Sequence, residues 1–574
     1  MSELSSKKVP TKKKSCLKLT STDTSKEIFM KRYVLGMDFG TLSGRALVVD
    51  ALTGEALGES VFEYPHGVMD VSLPDGTPLR SKSALQHPED YIFTMQNIID
   101  GACRQAGISA RDIEGVGVDF TGCTVLPIDR EGQPMCFYEK YKSDPNAYVK
   151  LWKDHASTAE ADRITKVAQE RGEKWLDVYS GKISSEWMLP KILQTLETSP
   201  ELYSDTYRFI EAGDWINLLL TGNETHARSF AGLKAIWNSQ DGYPEDSFFK
   251  AINKDLSGIV GTKLSEDILP VGDIAGYVSE TGEKLTGLRQ GTPVALAMID
   301  AWAAMPALGI TDEGQLMLIL GTSGCFIVNS RERHDVKGIC GHVYEGAFSK
   351  CYTYEAGQSC LGDGFDWYVK NFVPESYALE ARREGINIHK YLGKKAKQLG
   401  IGESGLVVLD WFNGNRSILA DYELSGMILG LTLATKPEEI YRAIIEAAAF
   451  SSRMIIDAFT DGGVRVDTIM ASGGIALKDE MMMQIYADVT RREIRVASTT
   501  QAGALGSAIY AAVAGGIYND LESAVRVMSV PIAKTYSPIP ENSVAYDKLF
   551  EEYKTLHDYF GRGGNDVMKR LGKS

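Results

Sequence analysis

Val34-Leu35-Gly36-Met37-Asp38-Phe39-Gly40-Thr41 is an apolar strand that runs into a Gly-Thr turn. A second stretch of the same kind, Leu316-Met317-Leu318-Ile319-Leu320-Gly321-Thr322-Ser323, stands in the other half of the chain. A strand that delivers Gly-Thr into a tight turn presents backbone N–H groups and a hydroxyl to an anion, the chemistry of a phosphate cradle. One copy alone is the ordinary mark of a hairpin. Two copies in separate halves predict a duplicated fold that closes on a nucleotide from both sides.

The residues around each turn extend the parallel. Tyr33–Phe39, Gly44–Asp50 and Ala56–Tyr64 read as three strands, the last two joined through Thr53-Gly54. His87-Pro88-Glu89-Asp90 opens a helix running to about Ala106, and Ile113–Phe120 is a short apolar strand. A three-strand meander, a helix and a strand is the opening of an actin-like (ribonuclease H-like) domain. The second half repeats the order: strands Gln315–Leu320, Cys325–Asn329 and Tyr352–Glu355, helix Glu438–Phe459, strand Val466–Ala471 and helix Met481–Val489. Strand Glu493–Ala497 and a small-residue helix over Ala502–Ala514 follow, the latter suited to close packing against a sheet. The fold class is therefore α/β: two actin-like ATPase domains with a ligand cleft between them. Their insertions, residues 130–190 and 362–412, are expected to supply specificity or a lid. The expected boundaries are 31–308 for the N-terminal domain and 309–560 for the C-terminal one. Residues 1–30, rich in Ser, Thr and Lys, read as a disordered leader or an added extension, with Met30 a candidate start.

Composition excludes several classes. Of 574 residues 44% are hydrophobic and 24% charged, which is ordinary for a globular protein with more than one core. The formal net charge of -15 argues against nucleic-acid binding. No apolar run reaches the ~18 residues of a membrane span. The eight cysteines show no CxxC pair and read as reduced thiols of a cytoplasmic protein.

Few side chains carry a chemical signal of their own. Asp38, two residues before Gly40-Thr41, is placed to hold Mg²⁺ beside bound phosphates or to cap its own turn. Arg45 follows the turn within reach of a phosphate. Asp300 ends an almost wholly apolar run, Thr292–Ile299. It either caps a helix beginning at Ala301 or takes a proton from a hydroxyl nucleophile. Ser472-Gly473-Gly474-Ile475-Ala476, followed by Lys478, offers a backbone that a flat ligand can approach closely. Lys234 and Glu355 have no isolated signature.

Taken together the motifs resemble the FGGY carbohydrate kinases. Gly426-Met427-Ile428-Leu429-Gly430-Leu431, then Glu439-Ile440, Ala443-Ile444-Ile445 and Glu446 match the second signature of that family in full. The N-terminal phosphate turn matches as well, except that Leu42 stands where many members have a second Thr or Ser. Within the family the chain is most similar to members that phosphorylate L-ribulose at its 5-hydroxyl in L-arabinose degradation. That likeness lies in Asp119-Phe120-Thr121-Gly122-Cys123-Thr124, Leu151-Trp152-Lys153-Asp154-His155, Ser185-Glu186-Trp187-Met188-Leu189-Pro190-Lys191, Ile299-Asp300-Ala301 and Asn413-Gly414-Asn415-Arg416-Ser417. The resemblance implies ATP and Mg²⁺ as cofactors and a pentulose as substrate. It implies Asp300 as general base and Gly122, Lys234, Asp300 and Glu355 as sugar contacts, with Gly122 leaving room for the carbon chain. Asp38 would hold the metal. Gly40, Thr41 and Arg45 would meet phosphates from one domain and Gly321, Thr322 and Ser323 from the other, with Gly473, Gly474 and Lys478 along the adenosine. A homodimer is the family expectation. The alternatives are another pentulose kinase, acting on D-xylulose or D-ribulose, and an actin-like chaperone or filament ATPase.

Overall fold

The computed structural model describes residues 31–572, so the expectations for the leader lie outside the described residues. Tyr33–Phe39 (β1) and Ser43–Asp50 (β2) form an antiparallel pair around the first Gly-Thr turn, which sets Asp38 opposite Arg45. Glu55–Glu63 (β3) continues the meander beside β2. Pro88–Ala106 (α1) begins as its sequence dictates: the His87 side chain accepts from the Glu89 N–H, and Pro88 fills the first turn, where no donor is needed. Gly107, at φ 71°, ends it in the left-handed region. Ile113–Phe120 (β4) returns parallel to β1, in a register that pairs Asp119 with Asp38. After the long insertion, which includes helix Arg228–Lys234 (α2), come Ile274–Tyr277 (β5), Pro293–Ala295 (β6) and Met298–Ile299 (β7). The sheet order is β5-β6-β4-β1-β2-β3, with β7 also on β4. Asp300–Ala307 (α3) then leaves the sheet.

The second sheet is built the same way. Gly314–Leu320 (β8) and Gly324–Ser330 (β9) surround the second Gly-Thr turn, and Gly341–Tyr344 (β10) and Tyr352–Gln358 (β11) extend the meander. Gly362–Phe372 (α4) and the long helix Pro437–Asp461 (α5) follow. Val466–Ser472 (β12) runs parallel to β8, as β4 does to β1. Gly474–Lys478 (α6), Glu480–Thr490 (α7), Glu493–Ala497 (β13), Ala502–Ala514 (α8) and Ile532–Tyr536 (β14) complete the order β10-β11-β9-β8-β12-β13-β14.

Helix α8 is the main surprise of the packing. Although it stands between two strands of the second sheet in sequence, it lies on the first. A Cβ added at Gly36 would sit 1.8 Å from Ala504 O, at Gly117 2.0 Å from Ser507 O, and at Gly115 2.2 Å from Ala511 O. On its other side Gly506 meets the Ala303 carbonyl of α3, 1.6 Å from where its Cβ would be. Glycines on both partners thus let backbone approach backbone. Leu505 and Ile509 are buried in the core of the first sheet, each contributing ~2 kcal/mol by removal from water. The second sheet has its own core around Leu316, Leu318, Phe326, Ile445 and Ile469. No helix among the described residues is long and apolar enough to cross a membrane, and all seven cysteines among them are free thiols.

Candidate active site

Three carboxylates converge where β1, β4 and β7 end. Asp38 and Asp119 are register partners on β1 and β4, and Met298 of β7 pairs with Asp119, so the chain delivers Asp300 beside them. Asp300 is the first residue of α3, not the residue before a helix starting at Ala301. Its Oδ1 accepts from the Ala301 N–H at 2.7 Å. Burial, followed by the nearby Asp38 charge, pushes its carboxyl up to about 7. Burial also raises Asp38, against the pull of Arg45, whose Nε lies 3.5 Å away. Arg45 is further tied to Gln501 at 3.2 Å, so the arginine expected to reach a phosphate is also the partner of Asp38. Asp119 is fully buried and raised by burial and then by Asp38. Its Oδ2 accepts from Ser507 Oγ of α8 at 2.6 Å, and among the described residues its buried Oδ1 has no partner.

The phosphate turns are braced by their surroundings. Gly40 N–H donates to Ser43 O, and Tyr64 OH donates to Gly40 O, both at 3.0 Å. Gln86 Nε2 donates to Thr41 O at 2.8 Å, and the Trp152 indole N–H donates to Thr41 Oγ1 at 3.1 Å. In the second turn Gly321 N–H donates to Ser323 O, while the start of α4 closes over it through Leu361 N–H to Thr322 O and Gly362 N–H to Gly321 O. Beside this turn a cavity of about 940 Å³ is lined by Gly321, Thr322, Gly474 and Lys478, together with Phe365, His389, Tyr441 and Met481. Ser323 and Gly473 are not in its lining. Gly473 is required for a different reason: at φ +104° its Cβ would stand 2.3 Å from Leu320 O, so only glycine lets β12 turn into α6.

A cluster of buried charges adjoins Asp300. Lys234 ends α2, and Glu355 lies mid-strand in β11 with its Oε2 accepting from the Trp302 indole N–H at 2.7 Å. Both act electrostatically on Asp300. Glu186, from the first insertion, is 3.7 Å from Lys234 Nζ. Arg416, from the second half, is 3.7 Å from Glu186 and 3.8 Å from Glu355. Burial would raise Glu186, but Arg416 and Lys234 hold it below the usual carboxylate range. Burial would lower Lys234, and Glu186 keeps it raised. Gly122 is also here, with a different surrounding from that expected: an added Cβ would press on the Ile299 side chain at 3.2 Å. Its small size therefore seats the residue preceding Asp300.

The structure thus gathers Asp38, Gly40, Thr41, Arg45, Gly122, Lys234, Asp300 and Glu355 around one region, and Gly321, Thr322, Gly474 and Lys478 around the 940 Å³ cavity. Sequence reasoning assigned no role to Asp119, Glu186, Arg416, Trp152 or the N-terminal end of α8, although four of these lie in stretches that carry the family likeness. The signal available was charge inside otherwise apolar or aromatic segments.

Residues 33–307 match the N-terminal domain, and residues 316–515 the C-terminal domain, of the FGGY family of carbohydrate kinases. The chain belongs to the FGGY family and is an ATP-dependent carbohydrate kinase. It is 48% identical over 537 residues to a protein of Bacillus licheniformis named ribulokinase, covering 93% of this chain and 97% of that one. It is 43% identical to a ribulokinase of Mycolicibacterium smegmatis, covering 94% and 96%. Among solved structures, the xylulose kinase of Rhodospirillum rubrum is similar with a TM-score of 0.76 at 22% identity over 92% of this chain and 98% of that chain, a likeness of fold. Family membership sets aside the chaperone and filament readings.

Proposed function

We propose that the chain transfers the γ-phosphoryl group of ATP to the 5-hydroxyl of L-ribulose, giving L-ribulose 5-phosphate and ADP in cytoplasmic L-arabinose degradation. The observation that carries this reading is Asp300: a carboxyl tuned to about 7, flanked by Lys234 and Glu355 and facing two further carboxylates. The names of relatives with 46–48% identity support the choice of sugar. Residues 31–308 would hold the sugar and the first phosphate turn, residues 309–560 the adenosine and the second, and two copies would form a dimer.

A base with a pKa near the working pH is efficient because it is ionised when needed and still accepts a proton. In this reading Asp300 takes the proton of the 5-hydroxyl as that oxygen forms its bond to the γ-phosphorus and the bond to the ADP oxygen breaks. Lys234 donates to, and Glu355 accepts from, hydroxyls of the acceptor and fix its terminal carbon at Asp300. The backbone N–H groups and hydroxyls of Gly40-Thr41 and of Gly321-Thr322-Ser323, with Arg45, orient the phosphates from two sides. Gly473-Gly474 and Lys478 flank the adenosine. Phosphoryl transfer depends on such positioning and charge neutralisation more than on covalent chemistry. The residues fit a divalent cation: a Cβ at Gly503 would lie 2.9 Å from Asp38 Oδ2 and 3.4 Å from Asp119 Oδ1, a cradle open between two carboxylate oxygens. Asp38 would hold Mg²⁺ there through water, and that ion would neutralise phosphate charge.

Incubating the protein with Mg-ATP and L-ribulose, D-ribulose, D-xylulose, ribitol, L-arabinitol or glycerol tests the reading. L-ribulose is expected to give the highest kcat/KM. ATP hydrolysis without a phosphosugar, or a strong preference for D-xylulose, overturns it.

A further inference from the structure

We infer that Glu186 and Arg416 recognise the carbonyl end of an open-chain ketose, a role that rests on the sugar-kinase reading above. Lys234, Glu186, Arg416 and Glu355 alternate in sign and stand in a row at 3.7, 3.7 and 3.8 Å. Each spacing is within Coulomb range and beyond hydrogen-bond length. Among the described residues the Glu186 carboxylate, the Lys234 ammonium and the Arg416 guanidinium make no hydrogen bond within the protein, and Glu355 uses only Oε2, toward Trp302. Glu186 and Lys234 are nevertheless buried, with 5% and 7% of their surface exposed. Buried charges are ordinarily hydrogen-bonded as well as paired, because desolvation is otherwise uncompensated. These two buried groups and the partly exposed Arg416, left open toward one another, form a frame whose missing partners are the oxygens of a ligand.

The frame has a direction. Glu355 spans it, with Oε2 tied to Trp302 on the helix that begins with Asp300 and Oε1 turned to Arg416. Lys234 and Glu355 act on Asp300 directly, whereas Arg416 and Glu186 meet the cluster through Lys234 and Glu355. If Asp300 serves the hydroxyl that is phosphorylated, Arg416 and Glu186 meet the other end of the acceptor.

The acceptor's own chemistry says what that end is. A five-carbon 2-ketose closes a five-membered ring only through attack of its 5-hydroxyl on C2. A 5-hydroxyl free for phosphorylation therefore means an open chain with a free C2 carbonyl. That oxygen only accepts hydrogen bonds, and the planar N–H fork of Arg416 only donates them. Glu186, an acceptor only, suits the adjoining 1-hydroxyl. A site built to bond a particular polar group rejects the analogue that lacks it.

The test compares L-ribulose with ribitol, its analogue without the carbonyl, on the full-length enzyme and on Arg416→Lys and Glu186→Gln. In the wild type KM for ribitol should exceed that for L-ribulose by about tenfold or more. Arg416→Lys should raise KM for L-ribulose about 10- to 100-fold while changing KM for ribitol less than about threefold, with KM for ATP unchanged. Glu186→Gln should weaken both acceptors and leave 1-deoxy-L-ribulose, which lacks the hydroxyl in question, unaffected. Equal weakening of L-ribulose and ribitol by Arg416→Lys, or equal KM for the two in the wild type, overturns the inference. The wild-type comparison decides the matter even where a variant does not fold. Failure of the wild type to phosphorylate any pentulose overturns the underlying function instead.

Discussion

The indole N–H of Trp302 donates to Glu355 Oε2 at 2.7 Å, joining the helix that starts with Asp300 to the middle strand of the second meander. Trp302 is fully buried and Glu355 nearly so. The contact carries the position of Glu355, the proposed acceptor-binding acid, to Asp300, the proposed proton acceptor, two residues away on α3. Trp302→Phe keeps the ring and removes the donor. A hydrogen bond to a charged group contributes ~1.5–3 kcal/mol. KM for the sugar is therefore expected to rise about 10- to 100-fold in steady-state assays, with KM for ATP changed less than about twofold.

Asp300→Asn preserves shape and abolishes basicity. General-base catalysis contributes about 10²–10⁴-fold, so kcat should fall by that range. ATP affinity, measured by calorimetry, should stay within about twofold. A parallel loss of nucleotide binding counts against its role as base.

The pH profile follows from the same carboxyl. With Asp300 held at about 7 by burial and by Asp38, kcat/KM should climb with pH up to a limb near 7, and Asp300→Asn should lose that limb. The folded form keeps the proton to about 7, whereas an unfolded aspartate releases it near 3.8. Between those values the native state binds more protons, so this group's contribution to stability declines as pH rises. Asp300→Asn should accordingly raise Tm by about 1–3 °C at pH 8 and by less at pH 5, measured by calorimetry.

Gly503→Ala fills the space between Asp38 Oδ2 and Asp119 Oδ1. Mn²⁺ or Mg²⁺ affinity in the presence of ADP, followed by electron paramagnetic resonance or calorimetry, is expected to fall about tenfold or more. ADP affinity without metal should change little. Unaltered metal affinity would separate the cradle from the cation site.

Repeating local signals made the fold legible. Strand alternation, the paired Gly-Thr turns, the Pro88 start of α1 and the alanine-rich α8 each follow from neighbours in sequence, and their elements match within a few residues. Asp38 and Asp300 stood out as carboxylates in apolar strands. Asp119 stood in a strand of the same kind but had no visible partner, because the pairing comes from β1 and α8, the latter 388 residues distant at Ser507. Glu186, in the first insertion, and Arg416, just beyond the second, meet only in three dimensions. The packing of Gly122 was not legible either, since the side chain beside it, Ile299, lies far along the chain.

The position of α8 bears on how the chain comes to be folded. The glycine groove formed by Gly36, Gly115 and Gly117 on β1 and β4 is filled by a helix that begins at Ala502. At synthesis rates of about 5–20 residues per second, that groove stays uncovered for roughly 20 to 75 seconds after its own strands leave the ribosome. The first sheet therefore reaches its final packing only when nearly the whole polypeptide has emerged, and a nascent chain interrupted before residue 502 presents an apolar groove to chaperones and proteases.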